Sequence, residues 1–142
     1  MMMSENYKIM FKFIKDISGE TPDAETYIYA KDYISKYQLN IEINSKPLKP
    51  QIIEVNTLLK FNDNTESKKK AHFEMTYTTI VKLNDEIKDK KILQKIILCD
   101  VQKDVYPEIE KALLNLIHTS GYPNIKFEKK VDFEDLYNKK FN

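Results

Sequence analysis

One stretch of the sequence, from Ala71 to Leu83, alternates regularly enough to predict its own conformation. Its odd-numbered positions are apolar, aromatic or β-branched, whereas its even-numbered positions begin with a run of polar residues. Successive side chains of a β-strand point to opposite faces, whereas a helix would scatter the odd-numbered set around its circumference. The stretch therefore predicts one long, half-buried strand, and the rest of the chain must fit around its sheet.

Three further stretches predict strands of the same sheet. Residues 39–43 and 53–61 alternate between apolar and polar side chains, and residues 92–101 are apolar on both faces, as in a strand covered from both sides. Short connections between the strands predict an antiparallel meander. We interpret residues 1–12 as a flexible N-terminal tail and residues 25–37 as an irregular, tyrosine-rich segment that lies against the sheet.

Two helices are predicted after the sheet. An apolar stripe at helical spacing covers Val105–Ile117, and Asp104 precedes it as an N-cap. A second, short helix follows Asp132, which is placed to cap it. We therefore expect a single domain over residues 1–142 of the α+β class, with a four-stranded antiparallel sheet followed by a long and a short helix.

The predicted elements do not cover one another completely. Four strands of about ten residues make a sheet of roughly 19 by 33 Å. The long helix covers an area of only about 10 by 21 Å. The chain is therefore expected to bury further surface against copies of itself or against another protein.

Charge and composition argue against several classes of protein. The 142 residues carry 23 Lys and Arg against 22 Asp and Glu, so a net charge of +1 gives no overall attraction to nucleic acid or to an anionic membrane. The sequence has no apolar run near the roughly 20 residues that cross a bilayer, and its first residues lack the apolar centre of a signal peptide. Cys99 is the single cysteine, so an intrachain disulfide is excluded. We expect a cytoplasmic protein without stable membrane insertion.

A catalytic site is not predicted. His72 and His118 are 46 residues apart and share no metal-ligand spacing with Cys99. Gly19 and Gly121 are the only glycines, which leaves no phosphate-cradling loop. We therefore predict a protein that is not an enzyme and that has no metal and no cofactor.

Tyrosine is concentrated in one short part of the chain, at Tyr27, Tyr29, Tyr33 and Tyr37. Tyrosine offers a large contact area with one polar end, which suits tolerant recognition of apolar polypeptide. The alternative is that these rings simply pack against the sheet. The residues by themselves leave both interpretations open.

Short motifs occur in a characteristic order between residues 13 and 137. The first is Ile14-Lys15-Asp16-Ile17-Ser18, followed by Glu20, Pro22 and Ala24. Next come Lys31-Asp32-Tyr33, Ile53-Glu54-Val55 and Phe73-Glu74. The last are Gly121-Tyr122-Pro123 and the closing Asp132-Phe133-Glu134-Asp135-Leu136-Tyr137. In their residues and their order, these motifs resemble those of the SecB family of bacterial preprotein-export chaperones.

The resemblance implies an ATP-independent holding chaperone that binds unfolded, export-destined polypeptides in aromatic-lined grooves. It also implies a homotetramer, built as a dimer of dimers, that delivers its clients to the translocase ATPase SecA. In the family, acidic residues on the exposed face of the sheet contact the basic, zinc-carrying tail of SecA. The matching positions are Asp16, Glu20 and Glu74. For the client groove we expect Tyr33, Tyr37, Leu39 and Ile41, and for the oligomer interface Phe73, Met75 and Tyr77.

The sequence departs from the family pattern in several places. Thr78 and Thr79 stand where the family has small residues, and Cys99 is not followed by proline. The near-neutral charge also differs from the acidic character of the family. These departures bear mainly on delivery to SecA, and they also fit SecB-like chaperones that are dedicated to one antitoxin of a toxin–antitoxin system. A non-catalytic oligomeric interaction protein is a further alternative.

Overall fold

The computed structural model describes residues 6–63, 69–84 and 88–141. One antiparallel sheet, in the order β1-β4-β3-β2, is built from β1 (Tyr7–Glu20), β2 (Gln38–Lys49), β3 (Ile52–Asn62) and β4 (His72–Leu83). Helix α1 (Ala24–Tyr33) connects β1 to β2, and the sheet is followed by α2 (Lys90–Lys95), α3 (Val101–Thr119) and α4 (Phe133–Phe141). The predicted α+β class, with a four-stranded antiparallel sheet followed by a long and a short helix, is confirmed.

The two central strands follow the predicted alternation. The odd-numbered side chains of β3 and β4 are buried, and Leu59 pairs with Met75 as Phe61 pairs with Phe73. The apolar stripe of α3 covers this face, and its contact residues are fully buried: Val105, Ile109, Leu113 and Ile117. The alternation in the strands and the helical stripe thus define the two layers of one core.

Strand β1 corrects the prediction of a flexible tail. It pairs with β4 along its 14 residues, and Tyr7 and Ile9 are buried. Register shifts beside Met10 and Lys15 each add one unpaired residue, so the apolar positions change parity twice along the strand. The interrupted alternation concealed the strand in the sequence. Residues 1–5 of the predicted tail lie outside the described residues.

The prediction of a strand over residues 92–101 was wrong. This stretch contains most of α2, a π-helical turn over Ile96–Asp100 and the first residue of α3. Four consecutive residues, Ile96 to Cys99, are buried. A short run that is apolar on all sides fits a helix covered from two sides as well as a buried strand, and here α4 supplies the second cover.

One detail of the predicted helices is revised and another is confirmed. Helix α3 begins at Val101, so Asp104 lies within it, where its carboxylate accepts a hydrogen bond from the Tyr7 hydroxyl. Helix α4 is capped as predicted, because Asp132 Oδ1 accepts the backbone N–H of Asp135 at 3.0 Å.

The tyrosine-rich segment that was predicted to be irregular is helical. Asp23 caps α1 by accepting the backbone N–H of Thr26 at 2.7 Å. Apolar and aromatic side chains occupy both the inward and the outward side of α1, so no amphipathic period marks it in the sequence. Because α1 is helical, its tyrosines point in different directions: Tyr27 is partly buried, whereas Tyr29 and Tyr33 are exposed.

Candidate partner-binding and client-binding surfaces

The sheet has a second face, opposite α3, which we call the open face. It carries the even-numbered side chains of β3 and β4. Directly paired residues of antiparallel strands share a face. On β1 the open face therefore carries the residues that pair with the even-numbered positions of β4, which are Lys8, Phe11, Phe13, Asp16, Ser18 and Glu20.

The three partner-contact residues predicted from the sequence, Asp16, Glu20 and Glu74, lie on the open face. Asp16 pairs with Thr76, Glu74 pairs with Ser18, and Glu20 pairs with His72, so the carboxylates occupy two adjacent strands. Asp16 and Glu20, four residues apart on β1, are separated by about 13 Å along the strand. We call Asp16, Glu20 and Glu74 the acidic end of the open face.

Two basic groups border the acidic end. His72 Nε2 lies 3.9 Å from Glu20 Oε2, and Lys60 on β3 is the cross-strand neighbour of Glu74. Asp16 and Glu20 remain exposed and Glu74 is half-buried. The carboxylates are therefore accessible to a cationic side chain, for which a charge-assisted hydrogen bond is the natural contact.

A polar network occupies the centre of the open face. Thr78 Oγ1 donates to Asn56 Oδ1 at 2.7 Å, and the Asn56 amide donates to Asn44 Oδ1 at 3.1 Å and to Glu54 Oε2 at 2.8 Å. This amide hydrogen bond, together with the nearby charge of Lys46, holds the pKa of Glu54 below its usual value. The network links β2, β3 and β4 in one register and so fixes the surface on which the acidic end lies.

A groove of about 970 Å³ runs along the outer edge of β2. The segment between α3 and α4 forms its other wall, with Ile125, Phe127 and Val131. Tyr37, Leu39 and Ile41, three of the four predicted client-groove residues, line the groove together with Phe61. Leu39 and Ile41 are half-buried, so they offer apolar surface to a bound chain.

Tyr37 is fixed in the groove wall. It is buried, its hydroxyl accepts the backbone N–H of Ala71 at 3.0 Å, and its ring packs 5.5 Å from that of Phe61. Burial raises the pKa of the Tyr37 hydroxyl, so the ring is neutral under ordinary conditions. A rigid aromatic wall of this kind costs little conformational entropy when a ligand binds.

A second hollow of about 480 Å³ adjoins the groove and shares Ser35, Asn124 and Ile125 with it. Tyr27 and Tyr122 line this hollow with their ring centroids 5.2 Å apart. The Tyr27 hydroxyl donates to the Gly121 carbonyl at 2.7 Å. Gly121 has a φ of 108°, and a Cβ there would lie 2.7 Å from Cε1 of Tyr27, so glycine is required at this corner.

Tyr33 lies outside this groove, apart from the other three residues that the sequence suggested for a client groove. It is on the outward side of α1, where it is 42% exposed and stacks on Tyr29 with the ring centroids 4.7 Å apart. Lys36 Nζ lies 5.5 Å from the Tyr33 ring centroid. A 3-10 turn over Ile34–Lys36 separates Tyr33 at the end of α1 from Tyr37.

The residues expected at the oligomer interface are interior residues of the single chain. Phe73 is 0% exposed, Met75 is 1% exposed and Tyr77 is 8% exposed, all beneath α3. Their burial leaves almost no side-chain surface for contact with a second copy. Four exposed apolar side chains of the sheet lie on β1 instead, at Phe11, Phe13, Ile14 and Ile17, and Leu48 on β2 is exposed as well.

The remaining candidate residues have structural surroundings. His118 Nε2 lies 2.8 Å from the Ile125 carbonyl oxygen, where it holds the segment that forms the groove wall. Cys99 is buried in the π-helical turn, and burial raises the pKa of its thiol. Within residues 6–63, 69–84 and 88–141, the structure places no three His, Cys, Asp or Glu side chains where they could hold a metal ion.

The family comparison is decided by a match over almost the whole chain. Residues 2–142 match the family model described as preprotein translocase subunit SecB. The chain belongs to the SecB family. A protein of Pelagibacter ubique that carries the name of the protein-export protein SecB is 60% identical over 140 residues, which are 99% of this chain and 100% of that one. The protein-export protein SecB of Azorhizobium caulinodans is 24% identical, over 91% of this chain and 79% of its own.

A solved SecB-like structure has the same fold. The SecB-like chaperone of Mycobacterium tuberculosis, in complex with a ChAD peptide from the HigA1 antitoxin, superposes with a TM-score of 0.67. The two proteins are 13% identical, and the superposition covers 88% of this chain and 91% of the other. In the described part of this SecB chain, no helix is long and apolar enough to cross a membrane.

Two of the SecB motifs in the sequence contribute buried aromatic residues to the packing around the segment between α3 and α4. Tyr122 of Gly121-Tyr122-Pro123 is buried and packs edge-on against Phe73, with the ring centroids 5.9 Å apart. Phe133 of the closing motif packs against Tyr106 with the centroids 5.0 Å apart, and so joins α4 to α3. Both motifs therefore hold the segment between α3 and α4 against the sheet, where it forms the groove wall.

Proposed function

We propose that this SecB family member is an ATP-independent holding chaperone that binds unfolded polypeptides in the groove beside β2. The observation that carries the proposal is the groove itself. A half-buried apolar wall of Leu39 and Ile41 faces Phe127 and Val131, and the groove rim is polar. Such a surface can bind any extended apolar segment and does not require a particular sequence.

The same proposal includes delivery of clients to SecA for protein export from the cytoplasm. The support lies in the acidic end of the open face and in membership of the SecB family. The acidic end and the groove are on different parts of the chain, so one molecule has room for a client and a basic partner together. No nucleic acid and no membrane insertion enters the proposal.

We also propose that the protein assembles as a homotetramer, a dimer of dimers. Ile14 is 44% exposed and Ile17 is 40% exposed, and both lie on β1, an edge strand. An edge strand with exposed apolar side chains is a surface that native proteins cover. We therefore assign contact between copies to the side of β1 that carries Ile14 and Ile17, opposite to the open face, rather than to Phe73, Met75 and Tyr77.

Holding activity is tested by light scattering. A denatured, slow-folding protein is diluted into buffer with and without this chain, and no nucleotide is added. We expect scattering to be suppressed at about one tetramer per client, because the groove covers apolar segments that would otherwise associate. Undiminished scattering with several unrelated clients would exclude a general holding function and favour a chaperone dedicated to one antitoxin, as in the alternative SecB-like role.

Delivery is tested at the acidic end with Glu74→Lys. We expect this variant to bind the basic, zinc-carrying tail of SecA about tenfold more weakly, because an attractive charge contact becomes a repulsive one. Isothermal titration calorimetry measures the affinity, and sedimentation velocity verifies an unchanged oligomer.

The matched control is Glu42→Lys. Glu42 pairs with Leu58 on the same open face but lies on β2, two strands away from Glu74. The charge change is identical, and the distance exceeds the Debye length of about 8 Å at physiological salt. Equal losses in both variants would remove the assignment to the acidic end and leave only a net-charge effect.

A further inference from the structure

The open face has a second charged region at its other end. Lys8 pairs with Lys82, Lys82 pairs with Ile52, and Ile52 pairs with Lys49, so three lysines lie in one row across all four strands. All three lysines are exposed. We call Lys8, Lys49 and Lys82 the basic end of the open face.

The positive charge of the basic end is not compensated within the described residues. Ion pairs elsewhere on the open face join Lys15 and Lys46 to Glu54, and no described residue forms an ion pair with Lys8, Lys49 or Lys82. Like charges directly opposite each other on adjacent strands destabilise a sheet. Lys82 is on a central strand, so protection of a sheet edge does not account for it.

Exposed apolar side chains flank the basic end. Phe11 is 64% exposed on the open face, one row of cross-strand pairs away from Lys8 and Lys82, and Leu48 is 46% exposed beside Lys49. The surface therefore offers cationic and apolar contacts side by side. Charged contacts supply orientation and rate of association, while apolar contacts supply affinity.

We infer that the basic end binds an acidic polypeptide segment that also carries apolar side chains. The inference goes beyond the proposed function, which uses the groove and the acidic end and leaves the basic end unassigned. The occupant is complementary in charge to the three lysines, and its apolar side chains contact Phe11 and Leu48. The basic tail at the acidic end has the opposite charge, and the groove selects its clients by apolar side chains and not by their charge.

The layout of the open face favours a narrow ligand over a broad one. Lys82 and Glu74 are eight residues apart on β4, about 27 Å along the strand. A planar anionic bilayer that touched the basic end would also bring its headgroups over the carboxylates of the acidic end. A nucleic-acid duplex, about 20 Å across, would bring its phosphates close to the same carboxylates. An extended polypeptide, with strands spaced about 5 Å apart, fits on the lysine row alone.

The two ends act independently under physiological conditions. The nearest carboxylate of the acidic end, Asp16, pairs with Thr76, which is six residues or about 20 Å from Lys82 along β4. This separation is about two and a half times the Debye length of about 8 Å at 0.15 M salt. The acidic end therefore does not cancel the field of the basic end, although the net charge of the chain is only +1. A net charge near zero is therefore compatible with a negative potential at the acidic end and a positive potential at the basic end.

The test uses the full chain and a short fluorescein-labelled peptide of glutamate and serine with a central pair of leucines. Anisotropy measures its affinity for the parent protein and for the triple variant Lys8→Gln, Lys49→Gln, Lys82→Gln. The control triple variant is Lys60→Gln, Lys95→Gln, Lys111→Gln, which removes the same charge at three exposed positions elsewhere. We expect about a tenfold loss in the first variant and less than about a twofold loss in the second.

Each other outcome overturns the inference. Equal losses in the two triple variants would indicate unspecific attraction by net charge. Equal binding of a peptide of the same length with lysine in place of glutamate would exclude charge recognition. Tighter, lysine-dependent binding to phosphatidylserine vesicles or to duplex DNA would assign the basic end to a membrane or to nucleic acid. Absence of binding to the acidic peptide would leave the basic end without a ligand of the inferred class.

Discussion

A Leu39→Asp variant is expected to lose most of its holding activity, with client affinity at least about tenfold lower. Leu39 lines the groove beside β2 and is half-buried against the core. A carboxylate in an apolar contact costs several kcal/mol unless water or a partner reaches it, and each 1.4 kcal/mol is a factor of about ten in affinity. Suppression of light scattering and the dissociation constant of a labelled unfolded client measure the effect.

The matched control for the groove is Ile43→Asp. Ile43 is on the same strand and the same face as Leu39, and it is also partly buried against the core, but it does not line the groove. Thermal unfolding compares the stability cost of the two substitutions. If Ile43→Asp reduced client affinity as much as Leu39→Asp at equal stability, the client site would have to lie elsewhere on β2.

The free energy of unfolding is expected to fall by about 3–5 kcal/mol in Phe73→Ala, because removal of a fully buried ring loses its burial and leaves a cavity. Phe73 is 0% exposed and contacts the rings of Phe61 and Tyr122, with centroids 6.5 Å and 5.9 Å away. A Cβ at Gly19 would lie 2.7 Å from the Phe73 ring, so β1 also packs closely on it. Urea unfolding at a fixed protein concentration measures the change.

The control for Phe73 is Phe13→Ala, which removes the same ring from an exposed position of the neighbouring strand. We expect a change of about 0.5 kcal/mol or less, as for most surface substitutions. The comparison also discriminates between the two assignments of Phe73. If Phe73→Ala dissociated the assembly without lowering the stability of the subunit, Phe73 would be an interface residue after all.

The strands were predictable wherever one face of the sheet is buried continuously. The odd-numbered residues of β3 and β4 are buried throughout, so the bounds of both strands were predicted to within one residue at each end. β1 was not predictable, since two register shifts change the parity of its apolar residues. The run from Ile92 to Val101 was ambiguous from the start, because burial on all sides removes the period that separates a helix from a strand.

The candidate surfaces were predictable to different degrees. The resemblance to the SecB family supplied Asp16, Glu20 and Glu74, and cross-strand pairing brings the three together on one face. It also supplied Tyr37, Leu39 and Ile41, which line one groove, and Tyr33, which does not. The opposite wall of the groove, with Ile125 and Phe127, had no signal in the sequence because an irregular segment has no period to recognise.

The sequence by itself determined the class of the fold, the face of the sheet that α3 covers and the family to which the chain belongs. These depend on periodic burial and on local motifs, which are properties of neighbouring residues. Only the tertiary structure decided which residues meet across the sheet and which are hidden beneath α3. Contacts between distant residues depend on strand order and register, and a single register shift transfers every following side chain to the other face. The acidic end, the basic end and the groove therefore became visible only in the folded chain.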